Sequence, residues 1–391
     1  MKTDVLIAGG GIGGAVLAAL LVCGGRKVII LERSVKPPPF LRPEILWPAA
    51  VQTLSGLRER AFWEEQCIRP LGGISLHRAG KWHDAVTRDT LQRAGVQPFL
   101  TQPNQLRETL LAICGADVRR GVEVTVVLRD GGKVSGARAR DVKSGETFSI
   151  EATLTAGDDG THSAVRAACG IGIQLHTFPI EFFVRGIPTP ASMREDVVKL
   201  WIAPREDRSG LLAFGMMPLP GGEAACLAAV PLTQADDSAA LARAFAELFP
   251  KPEDAPAPLD VLDFPRSFTR IRREWGHAER YGAPGAVLLG DALHPVSPAG
   301  GQGANMAIAD AVVLARLILA NDPDLVPAYE DARRRANERG IRPTRMAART
   351  FAFTRIPLLG ALPGLLIPKL IARPSLVAAL LRSIGRPSAN P

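Results

Sequence analysis

The sequence predicts a mixed α/β fold in which a lobe built on a parallel sheet is interleaved with a lobe built on an antiparallel sheet, with helices at the C-terminal end. Two glycine-rich segments far apart in the chain predict the first lobe: residues 9–14 follow a short apolar run, and residues 298–305 precede an apolar helix. Short apolar runs separated by Pro and Gly, in residues 63–99 and 173–270, predict the second lobe.

The N-terminal segment has the pattern of a strand, a tight turn, a helix and a second strand. A short apolar run precedes the glycines of residues 9–14, and the apolar residues 15–21 suit a buried helix. Gly9 permits the turn, Gly11 lets a phosphate approach the backbone, and Gly14 allows close packing of the helix on the strand. Because the helix N-terminus offers N–H groups to an anion, this Rossmann-like unit predicts a bound dinucleotide.

An acidic residue completes the N-terminal unit. Glu32 ends the second strand, where its carboxylate can accept hydrogen bonds from both hydroxyls of an adenosine ribose and would repel a 2′-phosphate. Such glycine spacing also arises by chance, but here the strand, the helix and the acidic residue all fall where the mechanism needs them. This segment does not distinguish NAD from FAD.

The later glycine-rich segment makes that distinction. Residues 286–290 predict another buried strand, and Asp291 at its carboxyl end can hydrogen-bond a polyol such as the ribityl chain of FAD. The run from 298 to 305 opens an apolar helix whose N-terminal amides can face the pyrimidine edge of a flavin. Since NAD has no part that requires this second cradle, the sequence predicts FAD.

With these motifs the chain resembles the FAD-dependent monooxygenases of the para-hydroxybenzoate hydroxylase type, from its N-terminus through the helix after residue 305. A third motif, GDDGTHSAVR at residues 157–166, lies between the other two in the expected order. The resemblance implies that Asp159 lies near the FAD pyrophosphate and the nicotinamide route, while Ser163 and Arg166 hold the loop in shape. Taken alone, the Asp-Gly pair at Asp159 is an ordinary tight turn.

Two further positions match the family less tightly. Arg42 lies where the family often places an arginine near the flavin, and a solvated loop arginine is the alternative. Gln102 resembles the site where a glutamine or arginine touches the ribityl chain, although its spacing to Leu106 is one residue longer. The predicted cofactor-binding residues are Gly9, Gly11, Ile12, Gly13, Gly14, Glu32, Arg33, Arg42, Gln102, Asp159, Asp291, Gly301, Gly303, Ala304 and Asn305.

The dispersed motifs predict discontinuous domains in this chain of 391 residues. We expect an FAD-binding domain from residues 1–62, 100–172 and 271–345, a substrate-binding domain from residues 63–99 and 173–270, and a C-terminal helical cap or tail from residues 346–391. The uncharged apolar run at 356–368 is shorter than the ~20 residues that span a bilayer. It is predicted to be a cap on the substrate lobe, with a surface resting on anionic lipid as the alternative.

Composition limits the kinds of binding partner and the cellular compartment that we expect. The net charge is +8, but the basic residues are spread along the chain, so no nucleic-acid partner is predicted. The five cysteines and six histidines are scattered, which predicts neither a disulfide framework nor a metal site. The N-terminus enters a strand without a secretory signal, so we expect a cytoplasmic protein, with peripheral contact at the inner face of a membrane as a further possibility.

The resemblance also implies a reaction. NADH or NADPH, binding transiently at a shallow site, would reduce FAD; O2 would add to the flavin C4a carbon, and the hydroperoxide would transfer one oxygen atom to an aromatic, polyketide-like or isoprenoid substrate. Because such a species survives only where water is excluded, an apolar pocket is predicted. Its candidate wall residues, each of which can equally be core, are Phe182, Trp201, Phe214, Met216 and Met217.

The catalytic candidates are Arg42, His294 and Pro298, and a structural hydrogen bond is the alternative role for His294. The two tyrosines of the chain, Tyr281 and Tyr329, do not lie where phenol-hydroxylating relatives use tyrosine, which argues against para-hydroxybenzoate chemistry itself. Two other functions stay open. One is an FAD-dependent reductase or dehydrogenase acting on a lipid, similar to geranylgeranyl reductases, and the other is a non-catalytic, flavin-bearing, membrane-associated protein.

Overall fold

A computed structural model describes residues 1–37, 43–78, 81–191, 193–194, 196–204, 211–248, 264–297, 301–353 and 373–385. The strands of its largest sheet are Lys2–Ala8 (β1), Val28–Glu32 (β2), Asp117–Arg120 (β8), Val122–Asp130 (β9), Lys133–Asp141 (β10), Thr147–Gly157 (β11), Gly282–Ala283 (β19) and Ala286–Leu288 (β20). Their order is β19-β20-β11-β1-β2-β8, with β10 and β9 extending from β11.

The centre of this sheet is parallel. Strand β1 pairs in parallel with both β2 and β11, and β11 pairs in parallel with β20. Helix α1, Ile12–Cys23, connects β1 to β2 and is apolar on nearly all sides because the sheet and a second helix enclose it. This is the strand-turn-helix-strand unit that the N-terminal sequence predicts.

The second sheet is mainly antiparallel. Its strands are Gly73–Arg78 (β5), Lys81–Val86 (β6), Ile180–Pro188 (β13), Val197–Pro204 (β14), Leu211–Pro218 (β15), Glu223–Pro231 (β16) and Thr269–Ile271 (β17), in the order β17-β13-β16-β15-β14-β5-β6. The pair β14 and β5 is parallel, and strands β8 to β11 of the first sheet lie between these two strands in the chain. Helix α7, Ser238–Leu248, covers one face.

A small three-stranded sheet stands between these two. It contains Glu44–Leu46 (β3), Ile68–Pro70 (β4) and Phe99–Thr101 (β7), in the order β3-β7-β4. Leu100 on β7 and Ile45 on β3 pack against Val198 and Met217 of the antiparallel sheet. The short strands His176–Thr177 (β12) and Glu274–Trp275 (β18) form a separate pair.

The remaining helices are Pro48–Leu57 (α2), Arg60–Gln66 (α3), Arg88–Ala94 (α4), Pro103–Ile113 (α5), Ala164–Ala168 (α6), Gly303–Leu319 (α8), Leu325–Phe353 (α9) and Pro374–Gly385 (α10). Helix α8 packs on α1 and on α9. The predicted fold class is confirmed: a Rossmann-like parallel lobe, an interleaved antiparallel lobe and C-terminal helices.

Helix α10 packs on the side of the molecule that carries the antiparallel sheet. Val377 and Leu381 are buried against Leu91 of α4, Val86 of β6 and Trp47. The run at 356–368, for which the sequence left a cap or a lipid contact open, lies outside the described residues.

Candidate active site

Three glycine-rich turns meet at one edge of the parallel sheet. Strands β1, β2, β11 and β20 run in the same direction, so the ends at Ala8, Glu32, Gly157 and Leu288 lie side by side. Open α/β sheets bind ligands beyond the carboxyl ends of their strands. The geometry therefore places the predicted cofactor motifs where a ligand of this fold class lies.

The N-terminal turn is a cradle that side chains would fill. Gly9 has φ +94°, and a Cβ on it would lie 2.2 Å from the carbonyl oxygen of Asp158. A Cβ on Gly11 would lie 2.2 Å from the Asp158 carboxylate. Because Gly11 precedes α1 without a side chain to cap it, the N–H groups of Ile12 and Gly13 are available to a phosphate. These residues fit the pyrophosphate of FAD.

The N-terminal turn also lies against the later motif. A Cβ on Gly13 would be 3.1 Å from the Cβ of Ala307, so the first turns of α1 and α8 are in close contact. Gly303 begins α8, and Ala304 is buried in its first turn. The two glycine-rich segments, nearly 300 residues apart in the sequence, are thus brought together. The region that they border, at the carboxyl ends of β1, β11 and β20, is called the flavin cleft below.

Glu32 joins the end of β2 to the glycine turn. Its side chain is buried, Oε2 accepts a 2.8 Å hydrogen bond from the N–H of Gly10, and Oε1 accepts a 2.8 Å bond from the N–H of Ser34. A carboxylate oxygen has a second lone pair, so the same group can still accept from a ribose hydroxyl. Arg33, by contrast, is exposed.

The middle motif is held by its own side chains. Asp159 Oδ2 accepts from the N–H groups of Ala164 and Val165 at the start of α6, and the hydroxyl of Ser163 accepts from the N–H of Arg166. The guanidinium of Arg166 donates to the carbonyls of Thr161 and Ala292, both at 2.7 Å. Arg166 therefore ties the middle motif to the turn that carries Asp291, consistent with the loop-holding role predicted for it.

Two polar atoms in this region have no hydrogen-bond partner among the described residues. They are Oδ1 of Asp159 and Nε of Arg273, and both are buried. The Arg273 guanidinium lies 3.8 Å from the carboxylate of Asp291. Buried polar groups are normally paired, so these atoms mark places where a polyol or phosphate would complete the hydrogen bonding. Sequence reasoning missed Arg273, because it belongs to a short basic stretch, residues 270–273, in which no pattern distinguishes one arginine from another.

Asn305 and Gln102 use their amides to hold backbone. Asn305 Nδ2 donates to the carbonyls of Ile45 and Gly301, and its Oδ1 accepts from the N–H of Trp47. This clamp fixes β3 against the start of α8, and Gly301 adopts φ +58° beside Ile45. Gln102 caps α5 by accepting from the N–H of Gln105. A contact of either side chain with FAD stays a prediction.

Asp158, which sequence reasoning passed over, lies at the centre of the three motifs. Its Oδ2 accepts a 2.7 Å bond from the N–H of Gly14, and Oδ1 faces Gly290. Burial raises the pKa of this carboxyl well above its usual range; the bond from Gly14 opposes the rise, and the charges of Asp291, Asp159 and Asp310 add to it. Two consecutive aspartates at the end of an apolar strand were the available signal.

His294 belongs to a buried network behind the flavin turn. Its Nε2 lies 2.5 Å from Asp310 Oδ2, while Arg333 Nε donates to Asp310 Oδ1 at 2.8 Å. Asn337 donates to the same oxygen at 3.1 Å. Burial alone would raise the pKa of Asp310, but attraction and hydrogen bonds from His294 and Arg333 lower it to about 2. His294 thus has the structural bond that the sequence left as its alternative role.

The five predicted pocket residues divide between the two faces of the antiparallel sheet. Trp201, Phe214 and Met216 share one face and pack with Phe245 of α7. This face carries α7, whereas β3 and β7 pack against the opposite face, and a contact of these three side chains with substrate stays a prediction. Met217 packs on the opposite face with the cluster that contains Leu71, Leu100 and Val198.

Phe182 is the last of the five predicted pocket residues. Phe182 alternates with Phe183, which lies under α7, so Phe182 is on the face shared with Met217. Phe182 stacks on Phe178 with the ring centroids 6.3 Å apart. Two of the catalytic candidates, Arg42 and Pro298, lie outside the described residues.

Comparison with known proteins agrees with this geometry. The family model described as an FAD binding domain matches residues 2–343. Rifampicin monooxygenase of Streptomyces venezuelae is 30% identical over 79% of this chain, which spans 62% of that protein. The 6-methylpretetramide 4-monooxygenase of Streptomyces rimosus is 28% identical over 98% of this chain and 92% of its own length. Squalene epoxidase 1 of Arabidopsis thaliana is 26% identical over 81% of this chain and 59% of its own length.

Solved structures share the fold. The OxyS anhydrotetracycline hydroxylase from Streptomyces rimosus superposes with a TM-score of 0.72 and 26% identity, covering 98% of this chain and 76% of that one. An HpxO variant of Klebsiella pneumoniae in complex with FAD superposes with a TM-score of 0.76 and 22% identity, covering 98% of both chains. The chain therefore belongs to the family of FAD-dependent monooxygenases of the para-hydroxybenzoate hydroxylase type, with FAD as its cofactor.

Proposed function

We propose that this protein is a single-component monooxygenase that takes electrons from NADH or NADPH and inserts one atom of O2 into an aromatic, polyketide-like or isoprenoid substrate. One observation supports the proposal: the three glycine-rich turns, with the sequence motifs of an FAD site, lie together at the carboxyl ends of the parallel strands. Relatives named anhydrotetracycline monooxygenase and squalene epoxidase support a polyketide-like or isoprenoid substrate, and those named kynurenine 3-monooxygenase support an aromatic one.

The chain's own residues bind and orient the cofactor. The first N–H groups of α1 would hold the pyrophosphate, Glu32 the adenosine ribose and Asp291 the ribityl chain, while the N-terminus of α8 would face the pyrimidine edge. FAD supplies electron transfer and oxygen activation when bound. The clamp of Asn305 on β3 keeps the α8 N-terminus in register with the cleft.

The contact between the three-stranded sheet and the antiparallel sheet is apolar. Leu71, Leu100 and Val198 are each at most 4% exposed, and Ile45 and Met217 pack against them. A substrate pocket that opened against these side chains would have an apolar wall, so we expect a substrate with an apolar part. An environment without water protects a reactive oxygen donor from wasteful breakdown.

The cofactor assignment is tested with the purified protein. We expect a flavin absorption spectrum, with FAD identified by mass after release. Glu32→Ala should weaken FAD retention and Asp291→Ala should yield mostly colourless protein, whereas the exposed Glu65→Ala and Asp331→Ala should retain the yellow colour. Full flavin content in both site variants would contradict the assigned roles.

The reaction is tested by turnover in air. Candidate substrates are screened for faster NADH or NADPH consumption, and the product is analysed after reaction under 18O2. One 18O atom in the product is the expected result. Product formation without O2 would instead indicate the reductase or dehydrogenase, and failure to oxidise NADH or NADPH with every ligand would indicate a non-catalytic flavoprotein.

A further inference from the structure

The net positive charge of this chain comes from its C-terminal end, because acidic residues are nearly absent there. Lysine and arginine occur throughout, but of the 47 such residues 12 lie in residues 332–391, which contain a single acidic residue, Glu338. Residues 1–331 hold the other 35 against 38 acidic residues. Residues 1–331 therefore carry a slight net negative charge, and residues 332–391 supply all of the net positive charge of the chain. A charge asymmetry of this kind indicates an anionic partner.

Helix α9 presents much of this charge to solvent. Arg335, Arg339, Arg342 and Arg349 are exposed and follow one another at intervals of three, four or seven residues, which places them on one face of a helix. None of them forms an ion pair with another described residue. Glu338 is exposed on the same face, so the four arginines leave this face with an excess of positive charge.

Two neighbouring arginines of α9, unlike those of the exposed stripe, bond to acidic side chains of the protein. Arg333 is 1% exposed and bonds Asp310, and Arg334 bonds Glu330 of its own helix. The basic residues that α9 uses for stability thus point inward or pair along the helix. The exposed stripe has no such role within the described part of the chain.

An exposed apolar side chain lies on the stripe. Met346, which falls on the same helical face, is 56% exposed. Helix α10, which packs on α4 and β6, separately exposes Leu376 and Leu380, at 45% and 49%. The sequence between the two helices includes the uncharged apolar run at 356–368. No helix in the described residues has the length and hydropathy needed to cross a bilayer.

We propose that the exposed basic face of α9 docks this protein on an anionic lipid surface. Cationic side chains attract anionic headgroups, and neighbouring apolar side chains enter the boundary between headgroups and acyl chains. A nucleic acid would match the charge equally well, but it gives the exposed Met346 on this face nothing to bury against. The observations therefore favour a membrane.

Vesicle sedimentation tests this proposal with the full-length, FAD-loaded protein. We expect it to sediment with phosphatidylcholine vesicles that contain phosphatidylglycerol, to stay in solution with phosphatidylcholine alone, and to be released by high salt. The triple variant Arg335→Gln, Arg339→Gln, Arg342→Gln should lower the partition coefficient on the order of 100-fold, at about fivefold per arginine. Glutamine preserves helix propensity.

A matched control removes the same charge elsewhere. Lys133→Gln, Arg138→Gln and Lys143→Gln change exposed residues of β10 and the turn after it, and this variant should sediment as the wild type does. Flavin absorbance and the melting temperature verify that both variants fold. No sedimentation of the wild type, equal loss in both variants, equal binding to neutral vesicles, or tighter binding to duplex DNA than to anionic vesicles would each overturn the proposal. Flavin content and turnover are measured separately, so the proposed reaction stands or falls independently.

Discussion

Asp158 and Asp310 are both buried at the flavin cleft, yet their surroundings differ. Asp310 is enclosed by His294, Arg333 and Asn337, and these partners lower its pKa to about 2. Asp158 has one hydrogen bond from the N–H of Gly14 and three carboxylates for neighbours, and burial raises its pKa.

The difference shows that burial alone does not fix the charge of a carboxyl group. The Asp310 carboxylate stays ionised because the guanidinium of Arg333 and the hydrogen bonds from His294 and Asn337 offset the loss of water. Because Asp158 has the carboxylates of Asp291, Asp159 and Asp310 for neighbours, a negative charge on it is unfavourable. Asp310 serves stability, and it also supports the turn before Asp291, because its carboxylate accepts from the N–H of Gly290 at 3.4 Å.

Removing the charge of Asp310 should have the largest effect. In Asp310→Asn the buried guanidinium of Arg333 loses its counter-charge, so we expect the free energy of unfolding to fall by about 3–5 kcal/mol. Urea unfolding followed by circular dichroism measures the loss. The exposed Asp331→Asn should change stability by less than about 0.5 kcal/mol. A small loss in Asp310→Asn would mean that the network contributes no stability.

Acid should weaken the same network. The folded pKa of Asp310, about 2, lies below its ordinary value of 3.8, so its contribution is complete above pH 3.8 and is lost as pH falls toward 2. The contribution amounts to roughly 2 kcal/mol. Unfolding free energies measured from pH 5 to pH 2 should therefore show wild type and Asp310→Asn converging. Parallel curves would contradict the assigned charge.

Asp158→Asn should act in the opposite direction. Since the folded pKa of Asp158 is raised, ionisation favours the unfolded state as pH rises above the ordinary value of 3.8. Asparagine keeps the acceptor for Gly14 and removes the charge. We expect no stability change near pH 4 and a gain of about 1–2 kcal/mol at pH 8. A variant that is less stable than wild type at pH 8 would show that the carboxylate is compensated.

The smallest effect should come from the edge of the Asp310 network. The hydroxyl of Tyr281 lies 3.2 Å from Asn337 Nδ2 and 2.8 Å from His277 Nε2. In Tyr281→Phe, Asn337 still donates to Asp310, so the loss of unfolding free energy should be about 0.5–1 kcal/mol. Thermal melting measures it. A loss as large as that of Asp310→Asn would show that the network is stabilised from its edge rather than by its ion pairs.

Much of the cleft could be predicted from the sequence. Gly9, Gly11, Glu32 and Asp291 belong to local patterns in which a strand, a turn and a helix follow one another within a few residues, and steric rules for the backbone govern such patterns. Asp310 and Arg333 escaped prediction because they are on different helices. An aspartate inside the apolar helix 303–319 signalled a buried partner but did not say which one.

The sequence by itself determined the strand-turn-helix units, the order of the three motifs and the cofactor they bind, because each depends on residues that are neighbours in the chain. Only the tertiary structure decided which sheet face Trp201 and Met217 take, and which buried aspartate obtains a cation. Those outcomes depend on packing between different elements, such as Asp310 and Arg333, which are 23 residues apart, and no local pattern encodes the distance between two side chains that meet only after folding.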